Sequence, residues 1–405
     1  MVSFKFTLAA AALSLAVNAQ NTATSTADVA AAAATAKTDH STSRVCGKAF
    51  DRIAIIWLEN TDYDKAIGDP NLAWLAKKGI TLTQYHATTH PSEPNYAASI
   101  SGDYLGMDND DFNFIDKNVS TVIDLLESKG ISWGEYQEDM PYSGFEGFAW
   151  VNQKTGANDY VRKHNPAILY NANVNPHRLP KIKNLTMFYE DLKHERLPQW
   201  MFITPNMTSD GHDTSVTVAG KWTRDFVEPL LNDRRFMQNT LVLITFDENE
   251  TYTIRNNVLA ILLGDAVPKH LVGTTDDTYY SHYSEIATVE ANWGLPTLGR
   301  WDVGANVFKV VAEKTGDKLR KWTGFPSFSK VFFNQSYAGP FNDERRVGYP
   351  VPNIHAKHAG RFVAPWIQRT YRGIKGTYYT TGVETRDGLK YSLPFLSKII
   401  LPFRD

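Results

Sequence analysis

The chain has 405 residues, of which 42% are hydrophobic, and its 42 basic side chains nearly balance 44 acidic ones, for a formal net charge of -2. This composition provides enough apolar material for a large core and excludes a disordered or fibrous protein. The near-neutral balance argues against binding to nucleic acid through bulk positive charge, so no nucleic-acid-binding domain is expected. A single cysteine, Cys46, excludes an intramolecular disulfide framework, a cysteine-rich zinc site and a CxxC redox pair.

The N-terminus has the pattern of a secretory signal peptide. Lys5 precedes an apolar run over residues 8–17, and the small residues Val17 and Ala19 favour cleavage after Ala19. The run is shorter than the ~20 residues that span a bilayer, and no later segment reaches that length, so no transmembrane segment is predicted. We therefore expect residues 1–19 to be removed and the mature chain to be secreted, either to the extracellular medium or to the cell wall.

The segment that follows, residues 20–45, is rich in Ala, Thr, Ser and Asp and contains no aromatic residue. Such a segment buries too little apolar surface to offset its ordering entropy, so it is interpreted as a linker or pro-segment. In a secreted chain, N-glycans are expected on sequons, and the predicted sites are Asn118, Asn184 and Asn334. The sequons at Asn206 and Asn249 lie inside the motifs described below, and we expect them to remain unmodified or to be functional.

From residue 46 onward, short β-branched runs alternate with helical patterns. Strands are predicted, in chain order, over residues 53–58, 131–136, 199–204, 240–246 and 257–263. Helices are predicted over residues 71–78 and 120–128, from about residue 95, and in the stretch that ends at Trp293. This alternation predicts a doubly wound α/β fold, with a mainly parallel sheet and helices on both faces. A single domain is expected over residues 46–340, followed by a basic and aromatic extension, residues 341–405, of uncertain structure.

Polar residues that can bind ions follow three of the predicted strands. They are Glu59 and Asn60 after the strand at 53–58, residues 206–213 after the strand at 199–204, and Asp247 and Glu248 after the strand at 240–246. Sites in parallel sheets form at the carboxyl ends of the strands, and carboxylates next to buried strands are costly unless a cation or hydrogen bonds compensate them. Each residue alone is better explained as a helix N-cap, but three strand ends together favour an ion site.

Three other segments carry reactive or charged groups. Ser92 lies between two prolines just before a predicted helix, whose N-terminal amides suit a phosphate. A hydroxyl held there beside a metal could attack phosphorus, although Ser92 alone would be read as a turn or capping residue. His282 could protonate a substrate oxygen or pack among its aromatic neighbours. The segment 161–166, which contains Arg162, Lys163 and His164, is a basic patch that could hold phosphate or form a solvated loop.

Together these segments resemble the phosphoesterase family, which includes fungal phosphate-repressible acid phosphatases and bacterial non-toxic phospholipases C. The resemblance rests on residues 58–60, 90–96, 163–166, 210–213, 246–248 and 281–284. It covers about residues 50–340 and is closest to the secreted fungal acid phosphatases. The family is similar to a branch of the alkaline-phosphatase superfamily, so the resemblance implies an alkaline-phosphatase-like α/β core.

The resemblance also implies roles for individual residues. Ser92 matches the nucleophile, and His212 and His282 match histidines near the phosphate, which makes them the candidate general acids. One divalent cation is implied, with the ligands Glu59, Asn60, Ser92, Asp247 and Glu248. This oxygen-dominated set favours Mg, Ca or Mn over Zn. The remaining residues matched by the resemblance are predicted to bind substrate: His90, Asn95, Lys163, His164, Asn206, Asp210 and Asp213.

The resemblance therefore implies that residues 46–340 form the catalytic domain of a secreted acid phosphatase. Small phosphate monoesters would be hydrolysed through a phosphoserine intermediate, and a histidine with its reference pKa of about 6.5 would be protonated in acid. The alternatives are a phospholipase C or other phosphodiesterase using the same site, and an inactive glycosylated wall protein that binds phosphorylated ligands. A sulfatase is disfavoured because Cys46 lies outside the nucleophile turn, and a histidine acid phosphatase because the chain has no Arg-His-Gly motif.

Overall fold

The computed structural model describes residues 22–23, 26–321 and 336–384. The predicted signal peptide (residues 1–19), the sequon at Asn334 and the end of the C-terminal extension lie outside the described residues. Within those residues, no helix has both the length and the apolar character needed to cross a membrane.

Strands and helices alternate through most of the described chain. The strands are β1 (Thr22–Ala23), β2 (Arg52–Leu58), β3 (Ile80–Leu82), β4 (Tyr85–His86), β5 (Trp133–Gln137), β6 (Ala149–Val151), β7 (Asn158–Val161), β8 (Ile182–Asn184), β9 (Trp200–Thr204), β10 (Thr240–Phe246), β11 (Ala260–Leu263), β12 (Thr274–Asp276), β13 (Tyr280–Ser281), β14 (Lys357–His358) and β15 (Arg361–Phe362). The α-helices are α1 (Thr26–Ala33), α2 (Tyr63–Gly68), α3 (Pro70–Ala76), α4 (Ser92–Ser101), α5 (Val122–Glu127), α6 (Thr186–Lys193), α7 (Val216–Val227), α8 (Arg234–Met237), α9 (Tyr283–Trp293), α10 (Lys309–Thr315) and α11 (Pro365–Thr370).

Eight strands form the central sheet, in the order β12-β3-β11-β10-β2-β9-β5-β8. The neighbours from β10 through β2, β9 and β5 to β8 are all parallel, so the predicted doubly wound, mainly parallel α/β fold is confirmed. Strand β11 departs from this pattern, because it pairs antiparallel with both β10 and β3. The connection from β10 to β11, residues 247–259, contains no helix, and a parallel return normally requires such a crossover.

The middle of the sheet is covered on both faces. Every residue of β9 and β10 is buried, as are the six residues of β2 from Ile53 to Leu58. Helices α3 and α7 pack together, and α4 packs against α9. The continuous apolar runs that predicted these strands are therefore explained by burial on two faces, where each large side chain contributes ~1.5–3 kcal/mol.

The register of the parallel strands positions the polar residues that follow them. Leu58, the last residue of β2, is paired with Phe246, the last residue of β10. Glu59 and Asp247 consequently leave the sheet side by side. Strand β9 lies on the other side of β2, so the segment that follows Thr204 emerges at the same edge.

The two terminal segments contact this core. Helix α1 has no buried residue, but the chain after it contacts the core: His40 Nδ1 lies 2.5 Å from Asp191 Oδ1 in α6, and the Val45 amide donates to Gln199 Oε1, just before β9, at 2.8 Å. The composition of residues 20–45 predicted a linker. Composition alone carries no information about which polar side chains form specific hydrogen bonds in the folded chain. Part of the extension, residues 341–384, is also folded onto the core, where Arg361 forms an ion pair of 2.6 Å with Asp317.

Candidate active site

Ser92 is the first residue of α4 and is almost fully buried. Its Oγ lies 3.3 Å from Glu59 Oε2 and 3.4 Å from Glu248 Oε1. The turn before it is held by Asn95, whose Oδ1 accepts hydrogen bonds from the amides of Thr88 and Thr89 at 2.9 and 3.2 Å. The Asn95 Nδ2 donates to the carbonyl oxygen of Pro91 at 3.0 Å. Asn95, predicted to bind substrate, therefore has its amide engaged in fixing the turn that presents Ser92.

The side chains of four predicted metal ligands converge beside Ser92. Asn60 adopts a left-handed backbone conformation (φ 38°), which asparagine tolerates better than most residues. Its main-chain amide donates to Asp247 Oδ1 at 3.2 Å. The Asn60 side-chain amide lies 3.2 Å from Glu248 Oε1 and 3.3 Å from Asp247 Oδ1, close enough for its Nδ2 to donate to both carboxylates. Asp247 Oδ2 is buried without a hydrogen-bond partner among the described residues. Buried carboxylate oxygens crowded together in this way fit a hard cation.

The charges in this cluster are strongly coupled. Burial raises the pKa of Glu59 well above its ordinary value, and the charges of Asp247 and Asp210 raise it further. Burial likewise raises the pKa of Glu248 and Asp247. Carboxylates in such surroundings need either protons or a nearby positive charge to stay buried. The electrostatics thus agree with the geometry in fitting a bound cation.

A second set of potential ligands shares Glu59. The ligand atoms of Glu59, His164 and Asp210 lie within 4.8 Å of one another, and all three side chains are buried. His164 Nε2 is 3.3 Å from Glu59 Oε2, and its Nδ1 is 3.5 Å from Asp210 Oδ2. Both ring nitrogens and Asp210 Oδ2 lack a hydrogen-bond partner in the described part of the chain. Burial, followed by the charge of Lys163, lowers the pKa of His164, which favours the neutral form that binds metals. This cluster could hold a metal ion.

Two further predicted histidines are buried within the site. His90 Nδ1 hydrogen-bonds to Glu248 Oε2, and its ring stacks on that of Tyr252 with the centroids 3.8 Å apart. His282 Nε2 donates to the main-chain oxygen of Asp247 at 2.7 Å, and its Nδ1 lies 3.2 Å from the Tyr85 hydroxyl oxygen. Burial lowers the pKa of each histidine to about 3. These pKa values favour the neutral rings, and His282 contacts the main chain of Asp247, a predicted metal ligand.

His212 and Lys163 are partly exposed and form the mouth of the site, the side that faces solvent. His212 Nδ1 is 2.8 Å from Asp213 Oδ1, and its Nε2 is 3.5 Å from Lys163 Nζ. Lys163 Nζ also forms an ion pair of 2.9 Å with Asp110 Oδ2. Burial lowers the pKa of Lys163, but the charges of Asp110 and Glu59 outweigh this effect and raise it overall. A permanent positive charge therefore stands next to His212.

Asn206, also predicted to bind substrate, shapes the loop after β9. Its Oδ1 accepts hydrogen bonds from the amides of Thr208 and Ser209 at 3.0 and 2.7 Å, and its Nδ2 donates to Asp139 Oδ2 at 2.6 Å. Substrate contact by Asn206 stays a prediction. The contacts made by Asn206 orient the loop that carries Asp210 and His212.

Sequence reasoning missed three residues in and around the site. The Tyr96 hydroxyl hydrogen-bonds to Glu59 Oε1, and its position one helical turn after Ser92, on the same face of α4, was a signal for it. Asp110 pairs with Lys163 and accepts a hydrogen bond from the Glu93 amide at 2.9 Å, yet no motif marks it. Tyr252, which stacks on His90, lies in the loop after β10 without a recognisable pattern.

The arrangement defines a class of site. A serine hydroxyl at a helix N-terminus adjoins buried carboxylates that fit a cation, and a lysine and a histidine stand at the mouth. Such a site is suited to transfer of a phosphoryl group, because helix amides and cations stabilise its charged oxygens.

Comparison with known proteins agrees with this class. The profile of the Phosphoesterase family matches residues 69–296. The chain is 53% identical over 348 residues to a phosphate-repressible acid phosphatase of Penicillium chrysogenum, covering 85% of this chain and 83% of the relative. It is 51% identical over 343 residues to an acid phosphatase of Aspergillus fumigatus, covering 83% of this chain and 76% of the relative. The chain belongs to the Phosphoesterase family, and the predicted enzyme class, a phosphoric ester hydrolase, is confirmed.

Among solved structures, the phosphonate monoester hydrolase of Silicibacter pomeroyi aligns with a TM-score of 0.44 at 11% sequence identity. That alignment covers 68% of this chain and 78% of the hydrolase.

Proposed function

We propose that the protein is a secreted acid phosphatase that hydrolyses small phosphate monoesters through a covalent intermediate on Ser92. The observation that carries this proposal is the Ser92 hydroxyl, buried at the start of α4 and within 3.4 Å of carboxylate oxygens of Glu59 and Glu248. The two fungal relatives described above are acid phosphatases by name and share about half of their aligned residues with this chain.

The reaction follows from the positions of these groups. Ser92 Oγ attacks phosphorus as the bond from phosphorus to the alcohol oxygen breaks, and a neighbouring carboxylate accepts the hydroxyl proton. The Ser92 amide at the start of α4 would face the charged phosphoryl oxygens, since the Glu93 amide donates to Asp110 and Pro94 has no amide proton. Water then attacks the phosphoserine, which releases inorganic phosphate and returns a proton to Ser92. The net reaction consumes one ester and one water and yields one alcohol and one phosphate.

His212 is the general acid in this scheme. It is one-quarter exposed, lies beside Lys163 and opens to the mouth from which an alcohol leaves. His282 has no exposed surface, and its Nε2 proton is committed to the Asp247 carbonyl oxygen. We therefore assign the proton donated to the leaving alcohol to His212, and a positioning role to His282.

A divalent cation fits the oxygen cluster. Glu59, Asn60, Asp247 and Glu248, with Ser92, would hold it, and the buried Asp247 Oδ2 without a hydrogen-bond partner is available as a ligand. When bound, the cation would offset the carboxylate charges and favour the deprotonated serine. An all-oxygen set favours Mg, Ca or Mn, whereas a cation that also used His164 would fit Zn or Mn better.

The test of this function is a comparison of substrates with one matched variant. Wild-type protein and Ser92→Ala are assayed between about pH 4 and 8 on an aryl phosphate, an aryl phosphodiester and phosphatidylcholine. We expect monoester hydrolysis that is greatest in acid and is reduced at least ~1,000-fold by the substitution. Faster turnover of the diester or the lipid would replace this function with that of a phosphodiesterase or phospholipase C. Activity retained by Ser92→Ala would remove the covalent intermediate.

Secretion and glycosylation form a separate part of the proposal. The N-terminal apolar run supports secretion, and Asn118 is exposed at the surface. Asn184 fits a glycan less well, because its Nδ2 donates to the Met140 carbonyl oxygen at 2.6 Å. Protein recovered from culture medium should lose mass on endoglycosidase treatment, and Asn118→Gln should remove one glycan. Retention of all protein inside the cells would contradict secretion.

A further inference from the structure

Asp110, in the loop between α4 and α5, joins two separate parts of the candidate active site. Its Oδ1 accepts a hydrogen bond of 2.9 Å from the main-chain amide of Glu93, the residue after Ser92. Its Oδ2 lies 2.9 Å from Lys163 Nζ, which belongs to a segment 53 positions further along the chain. One carboxylate therefore connects the start of the helix that carries Ser92 to the lysine at the mouth of the site.

The contact between Asp110 and Lys163 is largely shielded from water. Their side chains are 28% and 15% exposed, whereas the surface pair of Lys221 with Asp225 leaves its side chains 69% and 63% exposed. Exposed ion pairs constrain geometry weakly because water screens them, so the shielded pair is the stronger constraint. Lysine has a long flexible stem, and a fixed partner restricts where its ammonium group lies. The contact of Lys163 Nζ with His212 Nε2 is longer, at 3.5 Å, so Asp110 is the closer restraint on the lysine.

The location of Lys163 Nζ matters for both partners in the proposed reaction. Lys163 is predicted to bind the phosphate of the substrate, whose oxygens would also face the Ser92 amide. His212, the proposed general acid, lies next to the same ammonium group. A displacement of about 1 Å in such a site can cost about 100-fold in rate. Because Asp110 is bonded to the residue after Ser92, it sets the position of the positive charge relative to the nucleophile.

We infer that Asp110 is a positioning residue, which holds the Lys163 ammonium group beside Ser92 at the place where it meets the phosphoryl oxygens of the substrate. The inference rests on the proposed phosphatase function. Asp110 acts through Lys163 and contacts no reacting atom itself. The opposite effect would follow if the negative charge of Asp110 mainly repelled phosphate, because removal of that charge would then tighten phosphate binding.

The test is a double-mutant cycle of Asp110→Asn and Lys163→Met in the full-length protein, with divalent cation in excess. Asparagine keeps an oxygen that can accept the Glu93 amide but removes the charge that pairs with Lys163. Two quantities are measured for the wild-type protein, both single variants and the double variant: kcat/KM for 4-nitrophenyl phosphate, and the affinity for inorganic phosphate by isothermal titration calorimetry. The stoichiometry of phosphate binding corrects for any unfolded fraction.

We expect Asp110→Asn alone to lower kcat/KM about 10- to 100-fold and to weaken phosphate binding at least about 3-fold. In the Lys163→Met background, the same substitution should change each quantity by less than about 2-fold, because no ammonium group is left to position. Asp111→Asn, at the neighbouring exposed carboxylate, is the matched control and should leave both quantities unchanged.

Failure of this inference is distinguishable from failure of the proposed function. Equal losses from Asp110→Asn in the wild-type and Lys163→Met backgrounds would overturn the inference, because Asp110 would then act independently of Lys163. Tighter phosphate binding by Asp110→Asn would also overturn it, since the carboxylate would then oppose phosphate by its charge. If wild-type protein binds inorganic phosphate but hydrolyses no ester, the proposed function fails, whereas the phosphate affinities still decide whether Asp110 positions Lys163.

Discussion

His282 donates a hydrogen bond of 2.7 Å from its Nε2 to the main-chain carbonyl oxygen of Asp247. A carbonyl oxygen can only accept, so the proton on Nε2 is fixed there and points at the backbone of a predicted metal ligand. The ring also packs 4.2 Å from Trp57, centroid to centroid. A side chain held in this way is suited to keep Asp247 in position rather than to deliver a proton to a leaving alcohol.

The two candidate general acids can be separated by the leaving group. For His212→Gln, we expect kcat/KM for an alkyl phosphate to fall about 100- to 10,000-fold, the usual contribution of general acid catalysis. For 4-nitrophenyl phosphate, whose leaving group is stable without a proton, the loss should be at least about 10-fold smaller. Steady-state kinetics on both esters measure this difference. Equal losses on the two substrates would contradict the assignment of the general acid to His212.

For His282→Gln we expect a different pattern, because the positioning of Asp247 matters for every substrate. The loss in kcat/KM should be the same within about 3-fold for alkyl and nitrophenyl esters, and the affinity for the divalent cation should fall by about 10- to 100-fold. Isothermal titration calorimetry with the divalent cation measures this affinity without depending on turnover. A leaving-group-dependent loss without a change in metal affinity would instead return the role of general acid to His282.

The cation site should be visible in the stability of the protein. In chelator-treated protein, Asp247→Asn removes one of several buried carboxylates that repel one another, so the melting temperature should rise by a few degrees. In saturating divalent cation, wild-type protein should gain about 2.7 kcal/mol at 100 times its Kd, and the variant should gain less. The order of the two melting temperatures should therefore reverse between the two conditions. The same order in both conditions would argue against a cation held by Asp247.

Much of this site was predictable because its parts follow strands that the sequence marks clearly. Runs such as residues 53–58 and 240–246 are continuously apolar because both faces of the sheet are covered, and the residues after them must meet at one edge. Glu59, Asn60, Asp247 and Glu248 are brought together for that reason. The metal-ligand roles of these residues stay predictions, whereas their proximity is a property of the fold.

Other parts of the site depend on tertiary distances that local patterns do not carry. His164 and Asp210 lie 46 positions apart, and only the folded chain places them 3.5 Å from each other. Asp110 lies in an irregular loop without a motif, and its role depends on the position of Lys163. The direction of β11 depends on the missing helical crossover, which periodicity in a short apolar run does not reveal. The structure of the C-terminal extension is not predictable from local patterns, because contacts such as that of Arg361 with Asp317 join individual residues that are far apart in the sequence.

One of these long-range pairs, Asp317 with Arg361, leads to a prediction about how the stability of the protein depends on pH. Asp317 and Arg361 are both largely buried and form two hydrogen bonds of 2.6 and 3.1 Å. Burial would raise the pKa of Asp317, but hydrogen bonds from His358, Arg361 and Thr315 outweigh it and hold the pKa well below its ordinary value. A carboxylate whose folded-state pKa is depressed contributes stability above its unfolded pKa of about 4, and this contribution is lost as the pH falls further.

For Asp317→Asn, we therefore expect the free energy of unfolding to fall by about 3 kcal/mol at pH 6, because Arg361 is left buried without its partner. The gap to the wild-type protein should narrow when urea unfolding is repeated at about pH 2.5, because at that pH the unfolded wild-type chain binds a proton on Asp317 that the folded protein does not. Asp343→Asn is the matched control, since its 3.7 Å pair with Arg346 is exposed and should contribute less than about 1 kcal/mol. If the difference in unfolding free energy between the variant and the wild-type protein is the same at both pH values, Arg361 does not hold Asp317 as a carboxylate. Residues 336–384 would then be anchored to the core by other contacts.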